Sequence, residues 1–143
     1  MTSQSGKLTG KVAMVTGAGS GIGKACIERF SKEGATVIAV DITEPSTEGI
    51  RGPISSYTCD VTNSSSIQKV IDNVSSKYDG LHIVVNSAGV SARNALSDSS
   101  DIEQIWDRVI EVNLKGTFLT SLHAVPAIEK SGGGAIINLA STM

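Results

Sequence analysis

The sequence predicts an α/β protein built on a doubly wound parallel sheet. Short, continuously apolar segments have the length of strands that are buried on both faces, and they alternate with longer segments whose apolar residues recur at helical spacing. This alternation is typical of parallel strands joined by helices that cover both faces of a sheet. We therefore expect residues 1–143 to form a single domain with the strand order 3-2-1-4-5.

The first three predicted strands are the short segments Val12–Val15, Thr36–Val40 and Ile54–Thr58. A helix is expected between the first two, because apolar residues recur at helical spacing from Ile22 to Phe30 and Gly34 then ends the pattern. The segment Thr43–Pro53 contains two prolines and two glycines, which disfavour a helix, so it is predicted to be a loop. A second helix is predicted over Ser64–Lys77, where four apolar residues share one face.

Two further strands are predicted at Leu81–Val85 and Ala135–Leu139, on either side of a long helix. The segment Ser100–Glu103 matches a capping box, in which a serine and a glutamate three residues later bind the free amides of the first helical turn. The helix is therefore expected to begin at Asp101. We expect this helix to continue, with a disturbance near Asn113, until the three consecutive glycines.

Composition and charge exclude several classes of function. A net charge of −2 at pH 7 argues against binding to the phosphate backbone of a nucleic acid. No segment has the pattern of a signal peptide or of a membrane span, so we expect a cytoplasmic protein without a membrane partner. Cys26 and Cys59 stand alone in the sequence, and we therefore predict neither a disulfide nor a metal site.

A glycine-rich segment joins the first strand to the first helix, with the sequence Thr16-Gly17-Ala18-Gly19-Ser20-Gly21-Ile22-Gly23. Such a string can be a plain turn that binds nothing, but its place between a buried strand and an amphipathic helix indicates a dinucleotide site. Gly17 allows a tight turn, Gly21 allows a pyrophosphate to approach the backbone, and Gly23 allows the helix to pack closely. The helix N-terminus then offers free amides and a positive dipole to the anion.

Asp41 lies 18 positions beyond Gly23, at the end of the second predicted strand. A carboxylate there is expected to accept hydrogen bonds from the adenosine ribose hydroxyls and to repel a 2′-phosphate. The sequence therefore predicts a preference for NAD over NADP, which the positive charge of Lys24 could soften.

Five motifs in this order resemble those of the classical short-chain dehydrogenase/reductase family, over a match from Thr9 to Ser141. They are the glycine string, Asp60-Val61, Asn86-Ser87-Ala88-Gly89, Val112-Asn113-Leu114-Lys115-Gly116 and a strand that ends at Ser141. The family has a second asparagine where this chain has Ser87. The resemblance implies a Rossmann-like fold and an NAD-dependent oxidoreductase that moves a hydride between a hydroxyl or carbonyl substrate and NAD(H).

The resemblance also implies a set of site residues. The cofactor would be bound by Gly17, Ser20, Gly21, Ile22, Gly23, Asp41, Asp60, Val61, Asn86, Ala88 and Gly89. Two residues would have catalytic roles, Asn113 by holding a water in a proton relay and Ser141 by hydrogen bonding to the substrate oxygen. The substrate would be an alcohol or ketone that the sequence does not identify, and the protein would be a homo-oligomer.

The family uses a tyrosine as its base, with a lysine four residues later, and the 143 residues contain no such pair, since Val61 follows Tyr57 and His82 follows Tyr78 at that spacing. The chain matches the family up to the fifth strand, so we expect this truncated form to be inactive alone. It is also expected to self-associate through an exposed edge strand and helix face. Three hypotheses stay open: the N-terminal part of an oxidoreductase, a dinucleotide-binding module without turnover, and an interaction protein that pairs with a full-length relative.

Overall fold

Five parallel strands form one sheet in the computed structural model, which describes residues 6–93 and 101–141. The strands are β1 (Val12–Thr16), β2 (Thr36–Asp41), β3 (Ile54–Thr58), β4 (Ile83–Asn86) and β5 (Ala135–Asn138). Their order across the sheet is β3-β2-β1-β4-β5, with every neighbouring pair parallel. The predicted fold class and strand order are therefore confirmed. The order changes direction next to β1, and this places a crevice past the carboxyl ends of β1 and β4.

Helices connect the strands and cover both faces of the sheet. They are α1 (Gly21–Lys32), α2 (Ser64–Lys77), α3 (Ile102–Ile110) and α4 (Thr117–Lys130). The segment Glu111–Gly116 joins α3 to α4 in a π-helical conformation, which is the disturbance expected near Asn113. Single π-helical turns inside a helix are frequently found at functional sites, because they change the direction of side chains and backbone carbonyls.

Most predicted strand ends differ from the structure by one residue, and the starts of β4 and α3 differ for identifiable reasons. The fourth strand begins at Ile83 rather than Leu81, because the Val12 amide donates to His82 Nδ1 at 3.0 Å instead of to a strand carbonyl. The helix α3 begins after Asp101, whose carboxylate accepts from the Glu103 amide at 2.9 Å and so caps the helix itself. Ser100, the predicted cap, lies outside the described residues.

The core is divided into two layers by the sheet, because successive strand residues point to opposite faces. One layer packs against α2 and α4, and its largest fully buried members are Met14, Ile38, Ile67, Ile71, Leu81, Val40, Val74 and Val84. The other layer packs against α1 and contains Ala13, Val15, Ile27, Val37, Ala39 and Val85. Because β1 and the middle of β2 are buried on both faces, they hold the residues that follow them in fixed positions.

An apolar stripe runs along α3, the π-helical segment and α4 on a side that no other described element covers. Its members are Ile102, Trp106, Ile110, Leu114, Phe118, Leu122 and Val125, whose exposed fractions range from 36% to 74%. The edge strand β5 lies nearby in the fold and is itself largely exposed. The exposure expected for this helix and strand is thus observed.

We expect the apolar stripe to bind a second copy of the chain, because an isologous contact would bury the same row of side chains on both subunits. The substitutions Trp106→Lys and Leu122→Lys together should reduce association by about tenfold or more, through lost burial of two large side chains. Sedimentation velocity over a range of protein concentrations measures this. The control Gln68→Lys adds one lysine at an exposed position of α2, away from the stripe, and should leave association unchanged. A wild-type protein that stays monomeric throughout would contradict the prediction.

Within the described residues, no helix is long and apolar enough to cross a lipid bilayer.

Candidate functional site

The glycine-rich loop between β1 and α1 is held by close backbone contacts that side chains would prevent. Gly17 has a φ of +64°, and a Cβ there would lie 2.8 Å from the Ala88 backbone nitrogen. A Cβ at Gly23 would lie 2.1 Å from the Gly17 carbonyl oxygen. The Ala18 amide also donates to the Val40 carbonyl at 3.1 Å. The loop is therefore packed against the carboxyl ends of β2 and β4.

Asp41 ends β2 and faces this loop. Its Oδ2 accepts a hydrogen bond from the Gly19 amide at 2.8 Å, and its Oδ1 accepts one from the Ile42 amide at 2.7 Å. The residue is half-buried and lines a pocket at the end of the strand. The residue that the spacing indicated as a ribose acceptor is thus positioned by two backbone donors.

Asp60 follows β3 and forms an Asx turn with Thr62. Its Oδ1 accepts from the Thr62 amide at 2.9 Å and from the Thr62 hydroxyl at 2.8 Å. Burial by itself would raise the pKa of Asp60, but the two hydrogen bonds from Thr62 and the positive charge of Arg108 outweigh it and leave the pKa below its usual value. Asp60 is therefore ionised at neutral pH and available as an acceptor.

Thr16 connects the end of β1 to the segment that follows β4. Its hydroxyl oxygen accepts from the amides of Ser87 and Ala88, both at 3.2 Å, and the residue is 1% exposed. Sequence reasoning used Thr16 only as part of the glycine motif. The bond from the Ser87 backbone amide also shows that this contact needs no asparagine side chain at position 87.

Asn86, the last residue of β4, links the sheet to α4. Its Nδ2 donates to Asn138 Oδ1 at 2.8 Å and to Ser121 Oγ at 3.1 Å. Asn138 is also its partner in the register of β4 and β5. Asn86 was predicted to bind the cofactor, and its side-chain nitrogen is engaged within the chain, where it helps to hold the Asn86–Gly89 segment.

Asn113 lies in the π-helical segment and binds the backbone of Val90. Its Oδ1 accepts from the Val90 amide at 2.8 Å, and its Nδ2 donates to the Val90 carbonyl at 2.9 Å. The Asn113 carbonyl accepts from the Thr117 hydroxyl at 2.9 Å. The side chain thus holds the loop after β4 against the helix.

Two adjoining pockets bring the predicted site residues together at the carboxyl ends of the strands. One has a volume of about 110 Å³ and contains, among its lining residues, Asp41, Asp60 and Val61. The other has a volume of about 360 Å³, and its lining residues include Ser20, Gly21, Ile22, Asn86, Asn113 and Ser141. Gly17, Ala88 and Gly89 line both, so the pockets form one cleft. Of the residues predicted for the site, only Gly23 does not line the cleft. It is buried, with its Cα close to the Gly17 carbonyl.

Several residues line the cleft without having been predicted. Ile42, Cys59, Val90, Arg108 and Val112 contribute to the smaller pocket, and Thr117 contributes to the larger one. Ile42 and Cys59 could have been inferred, since each is adjacent to a predicted residue. Arg108 gives no local signal, because it is 48 positions from Asp60 and reaches the pocket only through the packing of α3. Burial raises the pKa of the Cys59 thiol, and the charge of Asp60 adds to that shift, so the thiol is a poor nucleophile.

Both tyrosines lie outside the cleft. The Tyr78 hydroxyl bonds to Ser55 Oγ, and Lys77 Nζ lies 5.0 Å from the centre of the Tyr78 ring. Burial alone would raise the Tyr78 pKa, but the hydrogen bonds and charge of Ser55 and Lys77 lower it overall. Ser55 is the second residue of β3, so this cluster is at the amino end of the sheet, opposite the cleft.

The histidines also have partners away from the cleft. His82 accepts from Val12 as described above, and His123 Nε2 lies 2.9 Å from Ser64 Oγ on α2. In the part of the chain that the structure describes, no group of three or more His, Cys, Asp or Glu side chains could hold a metal ion.

Comparisons with known proteins show the family to which the chain belongs. A sequence model of the short chain dehydrogenase family matches residues 11–143. The chain is 41% identical to the 3-oxoacyl-(acyl-carrier-protein) reductase FabG of Thermotoga maritima over 96% of this chain and 58% of that protein. It is 39% identical to an NAD-dependent glycerol dehydrogenase of Listeria innocua over 94% of this chain and 54% of that protein.

A solved structure shares the fold. The crystal structure of an NAD⁺-bound xylitol dehydrogenase matches with a TM-score of 0.82 and 26% identity, over 94% of this chain and 54% of that one. The chain thus spans little more than half the length of the relatives that it matches.

Proposed function

This chain belongs to the short chain dehydrogenase family of oxidoreductases, and we propose that its cleft binds NAD(H) for hydride transfer to or from an alcohol or carbonyl substrate. One observation carries the proposal. The glycine loop, the carboxylates of Asp41 and Asp60, and the Asn86–Gly89 segment surround a continuous cleft at the carboxyl ends of β1, β2 and β4. Nicotinamide supplies the hydride chemistry, and the residues of the chain hold and orient it.

The N-terminus of α1 fits a pyrophosphate. The cap residue Ser20 makes no side-chain hydrogen bond to the first turn, and this turn contains no acidic residue. Its amides are therefore not satisfied by side chains, and the dipole of the 12-residue helix adds positive potential. A Cβ placed on Gly21 would have no neighbouring atom within 4 Å, so the space beside these amides is open.

The smaller pocket fits the adenosine end of the cofactor. Asp41 has a carboxylate that can accept from the ribose hydroxyls, and Asp60 can accept from the adenine amino group. Ile42 and Val61 provide apolar surface for the base. Because Asp41 is half-buried and carries no cationic partner in a salt bridge within the described residues, it favours a hydroxyl over a phosphate at this place.

The larger pocket holds the residues proposed for chemistry. Ser141 and Asn113 line the same space as Gly21 and Gly89, so a substrate oxygen beside Ser141 would be close to the nicotinamide end of the cleft. Ser141 can donate a hydrogen bond to that oxygen. Asn113 can contribute to a proton relay through its backbone carbonyl, since its side chain binds Val90.

A second candidate is binding without turnover. It is favoured by the position of Tyr57 and Tyr78 outside the cleft, where neither can act as the base. Removing a hydroxyl proton near neutral pH needs a base with a suitable pKa, and neither serine nor asparagine provides one.

Titration calorimetry of the 143-residue chain with NADH and NADPH tests the proposed cofactor. We expect NADH to bind in the micromolar range and NADPH about tenfold more weakly or worse, because of the Asp41 charge. We expect no change of NADH absorbance when alcohols, polyols or ketones are added. Failure to bind NADH would refute the cofactor assignment, whereas steady turnover would refute the second candidate.

A further inference from the structure

We infer that Tyr78 is a nucleophilic site that accepts acyl groups from activated acyl donors, with Ser55 and Lys77 as the residues that activate its phenol. The site lies at the amino end of the sheet, where α2 ends beside the outermost strand β3. The cleft lies at the opposite end of the sheet, so the inference does not depend on the proposed function.

The three side chains form a row of hydrogen bonds that leads from a cation to the phenol oxygen. Lys77 Nζ donates to Ser55 Oγ at 3.3 Å, and Ser55 Oγ in turn bonds to the Tyr78 hydroxyl. Because the Ser55 oxygen accepts from the ammonium, its own proton is available to donate to the phenol oxygen. Lys77 Nζ also lies 5.0 Å from the centre of the Tyr78 ring. Both interactions stabilise a phenolate more than a neutral phenol.

The charges of this cluster make the tyrosine, and not the lysine, the nucleophile. Burial raises the pKa of Tyr78, but the hydrogen bonds from Ser55 and Lys77 and the positive charge of Lys77 outweigh it and leave the pKa below its usual value. The hydrogen bond to Tyr78 and the negative charge of its phenolate raise the pKa of Lys77. Lys77 therefore stays an ammonium ion without a free electron pair, while the phenol ionises more readily than that of an ordinary tyrosine.

The phenol is held in place and is open to small reagents. Tyr78 is half-buried, and its ring packs against the core layer that contains residues of α2 and α4. The hydrogen bond between Lys77 and Ser55 is exposed, and β3 is an edge strand of the sheet that the structure describes. A small acyl donor can therefore approach the cluster from the rim of the sheet without any change in the fold.

The reaction needs only the phenol and the acyl donor. The phenol proton passes to solvent, and the phenolate oxygen forms a bond to the carbonyl carbon of the donor. The bond from that carbon to the leaving group breaks, and the leaving group departs with the bonding electrons and takes up a proton from solvent. With N-acetylimidazole as the donor, the leaving group is imidazole and the product is the acetyl ester of Tyr78.

Acetylation of the 143-residue chain by a limited amount of N-acetylimidazole at neutral pH tests the inference. Peptide mass spectrometry over time gives the rate at each tyrosine. Tyr57 is the internal reference, because it is also half-buried and packs against the same core layer. We expect Tyr78 to react at least about fivefold faster than Tyr57, which corresponds to about one hydrogen bond to an ionised group. Hydroxylamine should then remove the acetyl group, since it cleaves a phenyl ester but not an amide of Lys77.

The variants Lys77→Gln and Ser55→Ala separate activation of the phenol from simple access to it. The first removes the cation and the second removes the hydroxyl donor, and we expect each to lower the rate at Tyr78 by about threefold or more. Lys69→Gln is the matched control, because it removes the same charge from an exposed position about two turns earlier in α2. Its rate at Tyr78 should stay within about 1.5-fold of the wild type. Circular dichroism establishes that each variant is folded, and K77Q, at an exposed position, keeps the test available if S55A does not fold.

A rate at Tyr78 that is no higher than the rate at Tyr57 would overturn the inference. Equal rates at Tyr78 in K77Q, K69Q and the wild type would also overturn it, because access to the ring would then explain any difference between the tyrosines. Acetylation that resists hydroxylamine and maps to Lys77 would make the lysine the nucleophile and would overturn it as well. Fast, hydroxylamine-sensitive acetylation of Tyr78 that depends on Lys77 would support it.

Discussion

Replacing Gly23 by alanine is expected to destabilise the fold by about 3 kcal/mol and to abolish measurable NADH binding. The new Cβ would lie 2.1 Å from the Gly17 carbonyl oxygen, 2.7 Å from its carbon and 3.2 Å from Ala18 Cα. All three are backbone atoms, so no flexible side chain can yield. Gly17 cannot retreat either, because it already packs against the backbone of Ala88. The loop would have to separate from α1, and the proposed pyrophosphate site would lose its shape.

Urea unfolding followed by circular dichroism gives the change in free energy, and calorimetry gives the NADH affinity. Lys24→Ala is the matched control, because it changes the next residue of the same helical turn without entering the contact. We expect this control to stay within about 0.5 kcal/mol of the wild type, as is usual at sites away from the core. A G23A variant with wild-type stability and affinity would mean that the close approach of α1 to the loop is not required.

The fold was predictable because its signals are local. Apolar periodicity located α2 at its observed bounds, and the burial of β1 on both faces follows from its unbroken apolar run. The strand order was predicted from the alternation of strands and helices. The strand and helix boundaries at Ile83 and Asp101 were missed because each depends on a single side-chain contact that a periodic pattern does not contain.

The site was predictable only in part. Asp41 stands at a fixed distance from the glycine loop along the chain, so spacing identified it. The residues that hold the site have no such spacing: Asn113 binds Val90 across 23 positions, and Arg108 lines the same pocket as Asp60 across 48. These contacts come from the packing of α3 and the π-helical segment on the strand ends. A sequence pattern indicates which residues could bind a ligand. Tertiary packing then decides which of their atoms are not already bound within the chain.

Thr16 illustrates that distinction. Its hydroxyl should contribute about 1–3 kcal/mol to the free energy of unfolding, because Thr16→Val would leave two partly buried amides without an acceptor. Those amides, from Ser87 and Ala88, both donate to Thr16 Oγ1 at 3.2 Å. Ala88 and Gly89 line both pockets, so movement of their segment should also weaken NADH binding. We expect the affinity to fall by about tenfold, which corresponds to the free energy of about one hydrogen bond.

Thr16→Ser separates the hydroxyl from the methyl group. Serine keeps the acceptor but leaves a small cavity, which should cost about 1 kcal/mol and leave the NADH affinity within about twofold of the wild type. Valine keeps the volume but loses the acceptor, so stability and affinity should fall together. Equal losses of stability in the two variants would assign the role of Thr16 to packing. The expected order, with valine well below serine in both measurements, would instead mean that a single side-chain oxygen in the core fixes the wall of the cofactor cleft.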